Sequence, residues 1–226
     1  MKMQRESDMQ HDDGNLFVAV AGIIGAGKSS FVRHLSEITG WTPFYEPVET
    51  NPYLEKFYAD MPRYALEMQI FLLAKRFESH QKINWLEEPV IQDRTIYEDT
   101  MFAQILHDLG HIDELGYATY KRLFHIYKRY LVYPDVLIYL NVSPEVALKR
   151  TRKRARAGEE AVSLEYLNLL HCEYEVWIEE MAKYTAVLDL DWNTKDESEA
   201  SMRWAHERVL ELVENRQPFI KSIRRL

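Results

Sequence analysis

Cysteine is almost missing from this chain. Cys172 stands alone in 226 residues, so no internal disulfide can form. That usage suits a reducing, intracellular compartment, and a cytoplasmic protein is the expectation. Long apolar runs are also missing: none approaches the roughly 18 residues of a membrane span. The opening stretch, MKMQRESDMQHDDGN, lacks the apolar centre of a secretion signal, and its acidic residues disfavour a transit peptide. It reads as a disordered leader over residues 1–15, followed by a single domain over 16–226. Positive charge is in deficit, with 28 Lys and Arg against 36 Asp and Glu. The net charge of -8 argues against broad binding to nucleic acid or membrane surfaces. Repeats, low-complexity tracts and internal linkers are absent. What is left is a globular chain, 46% hydrophobic, long enough to bury a full core.

Five short apolar runs punctuate it: LFVAVAG (16–22), TPFYE (42–46), PVIQD (89–93), DVLIYLNV (135–142) and AVLDLD (186–191). Continuous rather than alternating apolar residues suit parallel strands covered on both faces. The connections are helix-like, notably 62–86, 112–132, 163–183 and 198–214. The fold class expected is α/β: a doubly wound, five-stranded parallel sheet flanked by helices, with ligands at the carboxyl ends of the strands.

The stretch GIIGAGKSS (22–30) follows the first run and opens a helix. Gly22, four residues that include Gly25 and Ala26, then Gly27-Lys28-Ser29-Ser30 is a phosphate-binding loop in the context that motif requires. Glycines allow backbone N–H groups to face phosphates, and the helix start adds its positive end. Lys28 suits the β and γ phosphates of ATP, and the Ser29 hydroxyl suits Mg²⁺.

Further charged residues sit at other strand ends. Glu46, in YEPVE, would repel a phosphorylated acceptor but could take a proton from a neutral hydroxyl. By itself it reads better as a solvated glutamate before a proline turn. In QDRTIYED, Asp93 ends a strand within reach of Mg²⁺ or its water shell, and Arg94 can reach a phosphate or its nucleophile. Thr95 and Glu98 form a capping box for the helix that follows, which also carries Asp99. Gln69 and Arg76 are seven apart in an apolar helix entered at Pro62, so they share a face and need partners if buried. Gln69 could read the amide edge of a base, and Arg76 could pair with Asp99 beside it. Finally LKRTRKRARAGEE (148–160) is strongly basic in an acidic protein. It could be a solvated face, a nucleic-acid patch, or a mobile lid over about 150–162 whose arginines fork onto phosphate oxygens.

Taken together, NPYLEKFY, DRTIYED and SLEYLNLLHCEYEVWI resemble the deoxynucleoside kinases of the deoxycytidine, deoxyguanosine and deoxyadenosine group, and the bacterial deoxyadenosine kinases in particular. The resemblance runs from about Leu16 to Val213. No single motif is specific; their order is. It implies a P-loop kinase-type fold with an arginine-rich lid, and a homodimer, with residues 96–108 and 112–132 expected at the interface. It also implies roles. Glu46 would be the general base for the 5′-hydroxyl, and Tyr58 and Glu159 would hold the sugar 3′-hydroxyl. Gln69 would bind the base edge, supported by Arg76 and Asp99. Asp93 stands at the acidic position of the Asp/Glu-Arg motif, with Arg94 near the 5′-oxygen. Arg150, Arg154 and Arg156 match lid arginines, although the lid reads Arg-Ala-Arg where Arg-Gly-Arg is commoner. Mg²⁺ would be held by Ser29 and Asp93, with ATP as co-substrate. Residues 192–196 fall where an adenine-contact loop is expected, without a matched residue.

The reaction expected is transfer of the ATP γ-phosphate to a deoxynucleoside 5′-hydroxyl, in nucleotide salvage. Deoxyadenosine is favoured, then deoxycytidine or deoxyguanosine, because an Arg-Asp pair beside the base suits an amino-bearing ring and fills the room of a thymine methyl. Three alternatives stand beside this. A nucleoside monophosphate kinase of thymidylate-kinase type shares the loop and the Asp-Arg and Glu-Pro elements, but should offer arginines to an acceptor phosphate near Glu46. A nucleotide-binding switch would not need Glu46, Gln69 and Tyr58 together. A nucleic-acid binder would use the basic stretch.

Overall fold

Strand β1 (Phe17–Ala21) is FVAVA, and all five residues are buried. Apolar on both faces, it can only lie in the middle of a covered sheet. In the computed structural model, which describes residues 15–46, 51–156 and 159–215, it does so. The sheet has five parallel strands in the order β2-β3-β1-β4-β5. They are β2 (Thr42–Phe44), β3 (Val90–Asp93), β4 (Val136–Asn141) and β5 (Ala186–Asp191). Val18 stands opposite Ile91 on one side and Val136 on the other. The doubly wound parallel sheet expected from the apolar runs is present.

Helices cover both faces: α1 (Lys28–Thr39), α2 (Leu54–Ala59), α3 (Met61–Trp85), α4 (Asp99–Asp108), α5 (Glu114–Lys128), α6 (Pro144–Arg154), α7 (Leu164–Met181) and α8 (Glu199–Glu214). Their ends follow local chemistry. Asp60 accepts from the Arg63 N–H to cap α3, and Asp113 accepts from Gly116 to cap α5. Gly40 closes α1 in the left-handed region, φ 74°.

Three boundaries move. The second strand stops at Phe44 rather than at residue 46. It is an edge strand pairing only with β3, and Pro43 cannot donate to a ladder. The helix expected over 112–132 is shorter, because the chain turns away after Lys128 and the Gln81 and Asn84 amides donate to the Tyr130 carbonyl. The stretch expected as a lid is helical as far as Arg154, the end of α6. The leader over 1–14, Pro47 and Val48 of the Glu-Pro-Val stretch, Ala157 and Gly158 of the lid, and the end of the domain over 216–226 lie outside the described residues.

Order 2-3-1-4-5 makes β1 the point where the chain reverses its direction of winding. In open α/β sheets ligands bind there, outside the carboxyl ends of the strands. The loop after β1 and the Asp93-Arg94 pair after β3 are therefore neighbours.

Candidate active site

The phosphate loop leaves β1 in conformations that demand glycine. Gly25 has φ 83°, and a Cβ there would run into the Ala147 carbonyl oxygen and the Thr151 hydroxyl. Gly27 has φ 101° and caps α1 without any side-chain acceptor. The first N–H groups of α1 are therefore left for a ligand, next to the helix's positive end. Gly22, Ala26 and Lys28 are buried, while Ser29 is exposed and Ser30 half-buried. Lys28 Nζ donates to the carbonyls of Gly22 (2.9 Å) and Ile23 (3.1 Å). Burial pulls the Lys28 ammonium down to about 8, and Arg94 adds to the shift against the pull of Asp93 and Glu46. An incoming anion would find a cation already short of hydration.

Ser29 Oγ donates to Asp93 Oδ2 at 2.5 Å. Asp93 is buried, and its other oxygen, Oδ1, has no partner among the described residues. Burial pushes its carboxyl above the usual range, with Lys28 opposing and Glu46 adding to the rise. A buried unpartnered carboxylate oxygen beside a serine hydroxyl is the donor set a hard divalent cation prefers.

Glu46 lies two residues past β2. It accepts from Arg76 Nη2, and Arg94 Nε lies 3.3 Å away. Burial alone would raise its carboxyl, but Arg94, Arg76 and Lys28 together hold it at about 2. Arg76 reaches further than the sequence suggested. Its Nη1 donates to Asp99 while Nη2 takes Glu46, so one guanidinium bridges two carboxylates. Burial pushes the Asp99 carboxyl up to about 7, against the pull of Arg76.

Arg94 is the most constrained side chain. Its backbone has φ 65°, the left-handed region that costs a non-glycine residue energy. Its guanidinium lies 4.7 Å above the Phe102 ring. Nη1 donates to Glu98 Oε2 (3.0 Å) and to the Tyr174 hydroxyl (2.6 Å), and Nη2 donates to the Gly22 carbonyl (3.4 Å).

These groups share a cavity of about 1010 Å³. One end is formed by Gly25, Gly27, Lys28, Ser29, Ser30 and the 193–195 loop; the other by Glu46, Tyr58, Met68, Gln69, Arg76 and Phe102. Gln69 is buried, and its Oε1 has no partner among the described residues. Asp99 sits behind Arg76, with Oδ2 likewise unpartnered. Tyr58 and Glu159 are close enough that the Glu159 charge helps burial raise the Tyr58 phenol.

The basic stretch divides. Arg154 and Arg156 both reach Glu159, at 2.5 and 3.4 Å. Arg150 does not join them. It donates to the carbonyls of Ala26 (3.0 Å), Trp192 (2.8 Å) and Asn193 (2.9 Å), fastening the phosphate loop to the 192–195 loop.

The deoxynucleoside kinase family model matches residues 18–216. The chain belongs to the deoxynucleoside kinase family. The enzyme phosphorylates deoxynucleosides, and a family that takes nucleosides leaves the monophosphate-kinase alternative without support. It is 39% identical over 176 residues to the deoxyadenosine kinase of Dictyostelium discoideum, covering 78% of this chain and 72% of that one. It is 40% identical over 171 residues to the deoxyadenosine/deoxycytidine kinase of Bacillus subtilis strain 168, covering 74% and 79%. The structure of deoxyadenosine kinase from M. mycoides, solved with the products dCMP and a flexible dCDP, superposes with TM-score 0.78 at 31% identity. That match covers 86% of this chain and 98% of the other. The same enzyme with dATP bound gives TM-score 0.75 at 30% identity, covering 85% and 97%.

All the sequence-selected residues of the kinase fall in or against this one cavity, from Gly22 to Glu159. Several other residues of the site are not marked as such in the sequence. Tyr174 touches Arg94 from α7, with no local pattern to mark it. Glu98 was legible only as a capping residue, although its second oxygen holds Arg94. Asn193 and Lys195 line the donor end, and the φ of 54° at Lys195 is visible only in three dimensions.

Proposed function

We propose that the enzyme transfers the γ-phosphoryl group of ATP to the 5′-hydroxyl of deoxyadenosine, and next best of deoxycytidine or deoxyguanosine, as a salvage reaction. The observation that carries the base preference is Gln69, buried in the cavity with Oε1 unpartnered among the described residues and Arg76 and Asp99 alongside. A buried amide oxygen needs a donor. Adenine and cytosine each present an amino group beside a ring nitrogen, which a glutamine amide meets with two hydrogen bonds. The relatives named for deoxyadenosine and deoxycytidine support the same order.

Glu46 takes the 5′-hydroxyl proton. Held at about 2 by Arg94, Arg76 and Lys28, it is ionised at every working pH but is a weak base. In a loose transition state the acceptor oxygen becomes acidic only as its bond to phosphorus forms, so a weak, fully ionised base suffices late in the step. Arg94 holds the acceptor oxygen in line. Lys28 and the α1 N-terminus carry charge on the β and γ oxygens, and Arg154 and Arg156 add to it when the lid closes. Tyr58 and Glu159 hold the sugar. Arg150 acts from the donor side, through the backbone it ties together. Ser29 and Asp93 would hold Mg²⁺, since they offer oxygen donors only, one of them a carboxylate. When bound it would neutralise phosphate charge.

Dimerisation is part of the proposal. The apolar side chains of α4 between Met101 and Leu106 are buried within the chain, whereas α5 exposes Leu115 and Ile126. A cytoplasmic location agrees with a described chain in which no helix is long and apolar enough to cross a membrane.

The test is phosphorylation of the four deoxynucleosides with ATP and Mg²⁺. The expected order of kcat/KM is deoxyadenosine, then deoxycytidine or deoxyguanosine, then thymidine. Thymidine as the best substrate would overturn the base assignment.

A further inference from the structure

Arg94 occupies a left-handed backbone conformation and yet points its guanidinium at Glu46 and the phosphate loop. Something must hold it there. Two fully buried groups on its far side do so. Glu98 uses Oε1 to accept from the Thr95 N–H and Oε2 to accept from Arg94 Nη1. The Tyr174 hydroxyl accepts from the same Nη1 at 2.6 Å and donates to Glu98 Oε2. Arg94, Tyr174 and Glu98 thus close a ring of three hydrogen bonds.

We propose that Tyr174 is a positioning residue for phosphoryl transfer, fixing the Arg94 guanidinium in line with the acceptor oxygen through its hydroxyl. The proposal rests on the reading of Arg94 given above. On the far side of the guanidinium Glu98 by itself would give Arg94 a single anchor, because its other oxygen is committed to the backbone, while the contacts on the near side, Glu46 at Nε (3.3 Å) and the Gly22 carbonyl at Nη2 (3.4 Å), are long. The tyrosine supplies the second fixed point. It comes from α7, whereas Arg94 and Glu98 belong to the β3-α4 connection. The relative placement of those two parts of the fold is therefore written into the angle of the arginine. A misplacement on the order of an ångström is enough to cost a large factor in rate.

The Tyr174 ring stacks on Tyr139, centroids 5.7 Å apart. Tyr139 is also buried, but its hydroxyl has no partner among the described residues. It is the natural control. Tyr174→Phe should lower kcat about tenfold, with KM for ATP and nucleoside within about twofold and the thermal midpoint little changed. Tyr139→Phe should leave kcat within about twofold. In an Arg94→Lys background, Tyr174→Phe should have no further effect, because lysine cannot offer the geometry the phenol completes. An unchanged kcat in Tyr174→Phe, an equal loss in Tyr139→Phe, or a full additional loss in the Arg94→Lys background would each overturn the proposal. If Arg94→Lys by itself leaves kcat intact, the reading of Arg94 fails instead.

Discussion

The Arg76 guanidinium joins Asp99 to Glu46, donating to one carboxylate through Nη1 and to the other through Nη2. The base-side pair and the carboxylate proposed as general base are therefore one ionic unit. Removing Arg76 strands Asp99, fully buried, without a cation, whereas removing Asp99 leaves Arg76 with Glu46. Arg76→Met should cost about 3–5 kcal/mol of stability, and Asp99→Ala distinctly less. The double variant should recover part of the loss and raise thymidine phosphorylation relative to deoxyadenosine. Denaturant unfolding and relative kcat/KM for the singles and the double check this; additive losses with unchanged base preference would dissociate the pair from the base.

Glu46→Gln should lower kcat by about 10²–10⁴-fold while nucleoside and ATP binding persist. The amide is nearly isosteric but cannot accept the proton. Since the carboxyl is held at about 2, the wild-type rate should show no acid limb from this group above about pH 4. Single-turnover rates against pH are the measurement. A variant of near-normal rate would remove Glu46 from the mechanism.

Lys28, pulled down to about 8, should impose an alkaline limb. In the free enzyme the ammonium is lost as pH rises through that value, so kcat/KM for ATP should fall above about pH 8. Bound phosphate favours the charged form, so the limb should move upward in kcat. Lys28→Ala should damage both ATP affinity and rate, and erase the limb.

The two ends of the basic stretch should separate kinetically. Arg154→Ala should lower kcat more than it weakens nucleoside binding, since its charge counts while the phosphoryl group is in flight. Arg150→Ala should instead raise the KM for ATP, because it frees the 192–195 loop from the phosphate loop. Loss of nucleic-acid binding with intact turnover in either variant would restore the nucleic-acid patch.

His80 predicts acid sensitivity. It is fully buried, Nε2 donates to the Val132 carbonyl at 2.8 Å, and Nδ1 has no partner among the described residues. Burial pulls it from 6.5 to about 4. The unfolded chain therefore takes up the proton first, and stability present above about pH 6.5 is lost as pH falls toward 4. The contribution is up to about 3 kcal/mol. His80→Phe, compared with wild type by urea unfolding at pH 7.5 and 5, should lose less stability on acidification; an equal loss would make His80 a bystander.

Much of this was legible in one dimension because the physics is local. A run such as FVAVA must be covered on both faces wherever it lies, so the sheet could be read from it. GAGKSS needs only its own backbone and the start of one helix to make a phosphate cradle. The Thr95-Glu98 capping box spans four residues, and it formed as expected. Gln69 and Arg76 share a face because helical geometry says so.

Other features depend on distance in space between residues far apart in the chain. Tyr174 meets Arg94 across 80 positions, and Arg150 meets Ala26 across 124. No periodicity encodes such meetings; they follow from strand order and from which helix covers which face. The same holds for charge. The sequence by itself supplied the carboxylates and arginines, but a glutamate is a weak base held at about 2, or an aspartate pushed to about 7, only through burial and the cations set around it. Local bonding pattern determined the elements and the phosphate loop. Tertiary packing decided which partner each charged group received, because electrostatic energy depends on separation and dielectric, and the folded chain alone sets both.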